Sequence, residues 1–231
     1  MTDRDALYAA VLAAPDDDTP RLVYADFLDD TGVRADAIRA RFISNQIALA
    51  RAEPWSEEYD RLHRATAPVE DHYRKEWAAD LEGGFGRGSH FSRGFVAQVM
   101  CDLPRFLSDG MRVFDRHPVR GVKFTTARAH GAYSTLAVSP LLARIHTLHA
   151  SGEQVDDIAA ERLAASPHIV GLRCLRVTRS ALSIAGLGRL VSLTRSGLRE
   201  LELYEHRAIG EAEVVRLVAT GDKHCVRPTG C

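Results

Sequence analysis

Residues 172–177 read LRCLRV and residues 198–203 read LRELEL. Both follow the pattern apolar-x-x-apolar-x-apolar. The same pattern fits VAQVMC from Val96, VRGVKF from Val119 and IHTLHA from Ile145. The five starts are separated by 23, 26, 27 and 26 residues. After each strand-like segment comes a helix-like one: LPRFLSDGMRVFDR, LAVSPLLAR, VDDIAAERLAAS, IAGLGRLVSL and EAEVVRLVAT. A strand–helix unit repeated at a fixed period cannot bury its apolar edge alone, so consecutive units are expected to stack. Adjacent parallel strands would then lie ~4.8 Å apart, with equivalent side chains in rows.

The five phased segments resemble a short, degenerate leucine-rich-repeat array of the helix-bearing kind, without the Asn or Cys that usually follows the strand. The resemblance implies that the first, fourth and sixth positions enter the core and that the helices cover it from the convex side. Fifth positions would form a row on the concave face: Met100, Lys123, His149, Arg176 and Glu202. Seventh positions would add Asp102, Thr125, Ser151, Thr178 and Tyr204, and third positions Gln98, Gly121, Thr147, Cys174 and Glu200. That surface is polar, open and of mixed sign. It suits a protein or peptide partner better than duplex DNA. The residues expected to contact a partner are Lys123, His149, Arg176, Glu202 and Tyr204, since Tyr and Arg are frequent interface hot spots. A solvated strand face with no partner is the competing reading.

Working back toward the N-terminus, the run DDDTPRLVYADFLDDTG at Asp16–Gly32 contains six Asp. A calcium loop needs acids at alternate positions, then Gly, then a closing Glu. This run has Pro and apolar residues at those places. Asp18 or Thr19 instead precedes Pro20, a favoured first helical residue. Leu22, Val23, Phe27 and Leu28 recur at helical spacing, and Gly32 supplies a stop. The acids are thus expected at a helix start and on its wet face. An earlier helix is capped by Thr2 and stopped by Pro15, and a later one runs through RADAIRARFISNQIALARA. These stretches resemble the repeat-companion domain of certain bacterial proteins, which usually stands before a degenerate repeat array. The motif is carried by Pro15, Asp17, Asp18, Arg21, Leu22, Tyr24, Ala25, Asp26, Leu28 and Asp29, with Phe27 where the family usually has Trp. The resemblance implies a fold and a neighbouring array, and no reaction.

Between the two regions, Trp55, Tyr59 and Leu62 are spaced for one helix face. Pro68 can open another helix carrying Val69, Tyr73 and Trp77. GGFGRG at Gly83–Gly88 lacks the preceding strand and following helix of a dinucleotide fingerprint, so it reads as a turn.

The chain has 231 residues, 30 basic and 31 acidic, so no global field favours nucleic acid or an anionic membrane. No apolar run approaches the ~18 residues that span a bilayer. The N-terminus has acids in its first turn and no basic segment, which predicts a cytoplasmic chain with reduced cysteines. Cys101, Cys174, Cys225 and Cys231 include no C-x-x-C pair. His146 and His149 are three apart on a strand, hence on opposite faces. His149 has no nucleophile and carboxylate at triad spacing. The arginines Arg173, Arg176, Arg179, Arg189 and Arg195 form a basic cluster in sequence, offset one repeat later by Glu200, Glu202 and Glu205.

The expected architecture is therefore α/β. A helical N-terminal region (residues 1–52) and a helical connector with a Gly-rich turn (53–93) precede a short leucine-rich-repeat solenoid with a parallel sheet (94–220). A disordered tail (221–231) ends the chain. The expected function is a non-enzymatic interaction module with no cofactor or metal, binding a protein or peptide through the concave face. The alternative is a carrier or precursor whose tail, with His224, Cys225 and Cys231, is modified by another enzyme or binds a soft metal.

Overall fold

A computed structural model describes residues 2–81, 83–85, 88–125 and 131–204. The described residues form an α/β fold with eight α-helices and one six-stranded sheet. Strands follow the chain order: β1 (His90–Ser92), β2 (Phe95–Cys101), β3 (Gly121–Phe124), β4 (Thr147–Ser151), β5 (Cys174–Thr178) and β6 (Glu200–Tyr204). β1 and β2 pair antiparallel, whereas β3 to β6 pair parallel in sequence. The chain divides into two compact units, residues 1–99 with 112–119, and 100–111 with 120–231.

The first unit is built on α1 (Asp3–Ala13), α2 (Thr19–Asp30), α3 (Arg34–Arg51) and α4 (Glu57–Trp77). Thr2 caps α1 with a reciprocal pair: its Oγ1 accepts from Asp5 N, and its own N donates to Asp5 Oδ2 at 2.8 Å. Gly32 ends α2 at a φ of +70°, as its position in the sequence suggests. Val11, Tyr24, Ala25, Leu28, Ala40, Ile43, Ile47 and Phe95 form one core cluster.

The Asp run meets its helix as expected, with one addition. Asp26, Asp29 and Asp30 are exposed on α2. Asp17 Oδ1 accepts from Thr19 N at 2.8 Å at the start of the helix. Asp18 is more than a solvated acid, since it takes ion pairs from Arg51 at 2.7 Å and Arg93 at 3.3 Å. The buried face of α2 is also shifted. Val23 is exposed, and Tyr24 and Arg21 point inward instead. Arg21 is buried because its guanidinium ties off backbone, donating to Pro15 O at 2.8 Å and Arg93 O at 3.2 Å.

Two connector expectations are corrected. One helix, α4, runs through Pro68, where two were expected. Proline removes one i→i−4 bond but does not forbid continuation when packing holds both sides. Here Leu62, Thr66 and Glu70 are buried on either side of it. Trp55 is not in the core: it is 88% exposed, at a φ of +69°, ahead of the Ser56 cap. Trp77 does pack, against Tyr73, Phe42 and a charged residue, Arg39. The Arg39 guanidinium lies 3.9 Å from its ring centroid and within 6 Å of Phe42, Phe91 and Phe95. Of the Gly-rich stretch, residues 86 and 87 lie outside the described residues. Phe85 within it is buried.

In the second unit the repeat register holds. Cα partners across β3, β4, β5 and β6 run Gly121–Thr147–Cys174–Glu200, then Val122–Leu148–Leu175–Leu201, then Lys123–His149–Arg176–Glu202. The first, fourth and sixth positions of all five segments are buried, apart from the half-buried Leu203. Hydrogen-bonded strand begins at the third position from β3 onward, two residues later than the pattern's start. The reason is parity. Positions four and six share a face of a regular strand, and position one cannot share it, so the chain must still be turning there. Helices α6 (Ala132–Val138), α7 (Asp157–Ala164) and α8 (Ile184–Ser192) fill the returns, and α5 (Leu103–Phe114) follows β2. Asp156 caps α7 and Ser183 caps α8, while Asp157 accepts from Ser183 N at 2.8 Å. The helix expected from EAEVVRLVAT and the Cys-containing tail lie outside the described residues.

Candidate functional site

The strand pleat sends the fourth and sixth positions of β3–β6 into the core and leaves the fifth and seventh on the opposite face. Parallel pairing in constant register then converts five separate residues into a short polar array. Lys123, His149, Arg176 and Glu202 are consecutive Cα partners, and Tyr204 lies two residues beyond Glu202 on β6. A depression of about 380 Å³ opens on this face, lined by Lys123, Phe124, His149, Ser151, Arg176, Thr178, Arg179 and Tyr204.

The array is chemically asymmetric. At the β6 side, Arg176 Nε forms an ion pair with Glu202 Oε2, and its Nη2 donates to Glu202 Oε1 at 3.4 Å. Tyr204 OH donates to Glu202 Oε2 at 2.6 Å. Glu202 is therefore buried and saturated. Burial works to raise its pKa, but hydrogen bonds with Tyr204 and Glu200, then the Arg176 charge, outweigh it and hold the carboxyl below its usual range. At the β3 side, Lys123 is exposed and has no ion-pair partner among the described residues.

His149 sits between the two cations. Its Nε2 is 3.2 Å from Arg176 Nη1. A guanidinium only donates, so Nε2 is the acceptor and the ring carries its proton on Nδ1. Burial, then the charges of Arg176 and Lys123, push its pKa down to about 4. The imidazole is neutral at physiological pH and its acceptor nitrogen is already occupied. The buried thiols are equally quiet, since burial raises Cys101 and Cys174 to about 12. Among the described residues no group of three or more His, Cys, Asp or Glu is placed to hold a metal ion.

All five residues expected from the sequence to contact a partner thus lie on one sheet face, although Arg176 and Glu202 are committed to each other. Arg179 was foreseen only as one of five clustered arginines. Its backbone at a φ of +51° turns the chain just after β5, and its side chain lines the depression. No strand pattern encodes that reversal. Arg176 joins it in the depression, whereas the remaining three do not: Arg189 is on α8, Arg195 is in the turn after it, and Arg173 precedes β5. Outside this unit, His117 Nε2 meets Asp80 Oδ1 at 2.9 Å, a pairing of residues distant in sequence that no motif announces.

Among the described residues no helix is long and apolar enough to cross a membrane. Comparison of the chain with protein-family models, with curated proteins and with solved structures finds no match in any of the three.

Proposed function

We propose that the chain is a non-enzymatic interaction module that binds a protein or peptide partner through the exposed face of β3–β6. In this reading residues 2–52 are a repeat-companion domain and residues 94–220 a degenerate leucine-rich-repeat array, whose curvature presents that face to the partner. The observation that carries the proposal is the constant register. It aligns Lys123, His149, Arg176 and Glu202 in one row beside a depression of about 380 Å³. Rows of polar side chains on a rigid sheet give a binder many weak contacts at low entropic cost. The neutral, hydrogen-bonded His149 and the saturated Glu202 argue against acid–base catalysis at this face.

The test is site-specific photo-crosslinking in lysate of the source cells. A benzophenone side chain placed at Thr178 is expected to trap a discrete partner band that is lost when Arg176 and Tyr204 are changed to Ala. The same probe at Asp71 on α4 is expected to trap none. Equal labelling from both positions would overturn the proposal. So would a band that survives the alanine changes but disappears when residues 222–231 are deleted.

A further inference from the structure

We infer that the edge at which the chain enters strands β3–β6 is a further contact surface, apart from the depression, and that it takes an acidic protein segment whose carboxylates bridge Arg173 and Arg199. The second positions of the last four repeats lie at this edge, and they are Arg120, His146, Arg173 and Arg199. The same pair of backbone bonds joins each to the next. His146 N and Thr147 N both donate to Arg120 O, at 2.7 and 3.0 Å. Arg173 N and Cys174 N donate to His146 O at 2.8 and 2.9 Å, and Arg199 N and Glu200 N to Arg173 O at 2.7 and 3.0 Å. One basic residue therefore stands at the start of each strand, at the ~4.8 Å strand spacing. Arg120 is committed, its Nη1 donating to Arg144 O at 3.1 Å. Arg173 and Arg199 are exposed, and neither side chain has an ion-pair or hydrogen-bond partner among the described residues. Like charges on adjacent strands repel, and a carboxylate placed between two guanidinium groups removes that repulsion.

The distribution of charge singles out these two arginines. Residues 162–199 hold seven arginines and no Asp or Glu. Arg162 and Arg189 occupy the last turns of α7 and α8, where a cation offsets the helix dipole, and Arg176 pairs with Glu202. Arg173 and Arg199 have no such role. Glu200 follows Arg199 in the chain but is engaged with Cys174 and Glu202. An aliphatic contact lies close by. Val170 is 73% exposed, and its carbonyl oxygen lies 3.9 Å from where a Cβ would stand on Gly197, two residues before Arg199. Two unpaired guanidinium groups with an exposed valine suit an extended peptide that carries Asp or Glu beside an aliphatic residue. They suit nucleic acid poorly. Residues 134–203 contain no Phe, Trp or Tyr to stack on a base, and 30 basic against 31 acidic residues give the chain no overall field for a polyanion.

The test uses the full chain and fluorescence anisotropy with a labelled peptide of repeated Glu-Leu-Asp, its Gln-Leu-Asn counterpart and oligo-dT. The acidic peptide is expected to bind saturably, to weaken as salt rises, and to lose affinity by about tenfold when Arg173→Glu and Arg199→Glu are combined. Arg173→Lys with Arg199→Lys should retain most of the binding, and so should Lys123→Glu in the depression. Both arginines are exposed, so the variants fold; an unchanged circular-dichroism melt verifies this. Should the double Glu variant melt early, Arg173→Gln with Arg199→Gln is expected to weaken binding by about threefold at an unchanged melt. Absence of binding by the acidic peptide overturns the inference, as does equal binding by the Gln-Leu-Asn peptide. Affinity indifferent to Arg173 and Arg199, or lowered as much by Lys123→Glu, overturns it by moving the contact elsewhere. Oligo-dT binding as tightly, with the same dependence on the two arginines, overturns it by making the edge a nucleic-acid site. Failure here leaves the Thr178 crosslink, and with it the reading of the β3–β6 face, untouched.

Discussion

Leu175 is the residue on which the strand register bears most directly. It is 1% exposed and lies between its Cα partners Leu148 and Leu201, themselves 0% and 5% exposed. Changing it to Ala removes three carbons. At ~0.8 kcal/mol per buried methylene, transfer alone costs about 2.4 kcal/mol. Both flanking leucines belong to paired strands and cannot collapse into the void, so a cavity contribution brings the total to about 3–5 kcal/mol. Arg176→Met keeps a long stem and loses the ion pair that neutralises the buried Glu202, for about 1–3 kcal/mol. Lys123→Ala on the exposed neighbour should stay within ~0.5 kcal/mol. Both tryptophans, Trp55 and Trp77, lie in the first unit, so their fluorescence does not report on this region. Urea unfolding should instead be followed by far-ultraviolet circular dichroism. With a slope of ~2 kcal/mol per molar, Leu175→Ala is expected to lower the midpoint by about 1.5–2.5 M. A shift no larger than that of Arg176→Met or Lys123→Ala would show that Leu175 is not a core residue and that the register is wrong.

The pH dependence has a definite sign. His149 at about 4 and the lowered Glu202 both bind protons more readily in the unfolded chain, so stability should fall as pH drops from ~6.5 toward 4 and below. In Arg176→Met the His149 titration, followed by proton NMR of the ring, should move partway back up. It should not return fully, because burial is the larger cause; an unmoved titration would contradict the contact. Gly94→Ala places a Cβ 2.4 Å from Ile43 Cγ1 at a φ of +83°, and should cost about 2 kcal/mol or more in thermal unfolding. A melt matching that of the unsubstituted chain would refute this close approach. Arg39 Nη1 is buried with no hydrogen-bond partner, so Arg39→Met is expected to be neutral or stabilising. A loss above ~3 kcal/mol would mean that stacking on Trp77 outweighs the desolvation. Calorimetric titration with calcium or magnesium should reveal no micromolar site that depends on Asp26, whose carboxylate is exposed on α2 rather than turned toward its neighbours.

The repeat register was legible in the sequence because it is a local property. A strand with one face in a core must alternate, and a fixed 23–27-residue spacing leaves one alignment that buries Val122, Leu148, Leu175 and Leu201 together. The helix bounds of the N-terminal unit were legible for a similar reason: Thr2, Pro20 and Gly32 act on backbone within a turn of themselves. Long-range pairing decided the rest. Side-chain type alone places Arg176 and Glu202 on a wet face. Only adjacency across β5 and β6 pairs the buried Glu202 with Arg176, and only adjacency across β4 and β5 gives His149 that same arginine as its donor. Pro68 failed as a local signal because packing on both sides carries the helix through it, and Trp55 because the chain there turns at positive φ ahead of the Ser56 cap, outside the helix. The guanidinium groups of Arg21 and Arg39 are covered where composition would expose them, one by tying off carbonyls and the other by lying among aromatic rings. A guanidinium can do either only after the chain has brought those partners to it, and no spacing in the sequence records that.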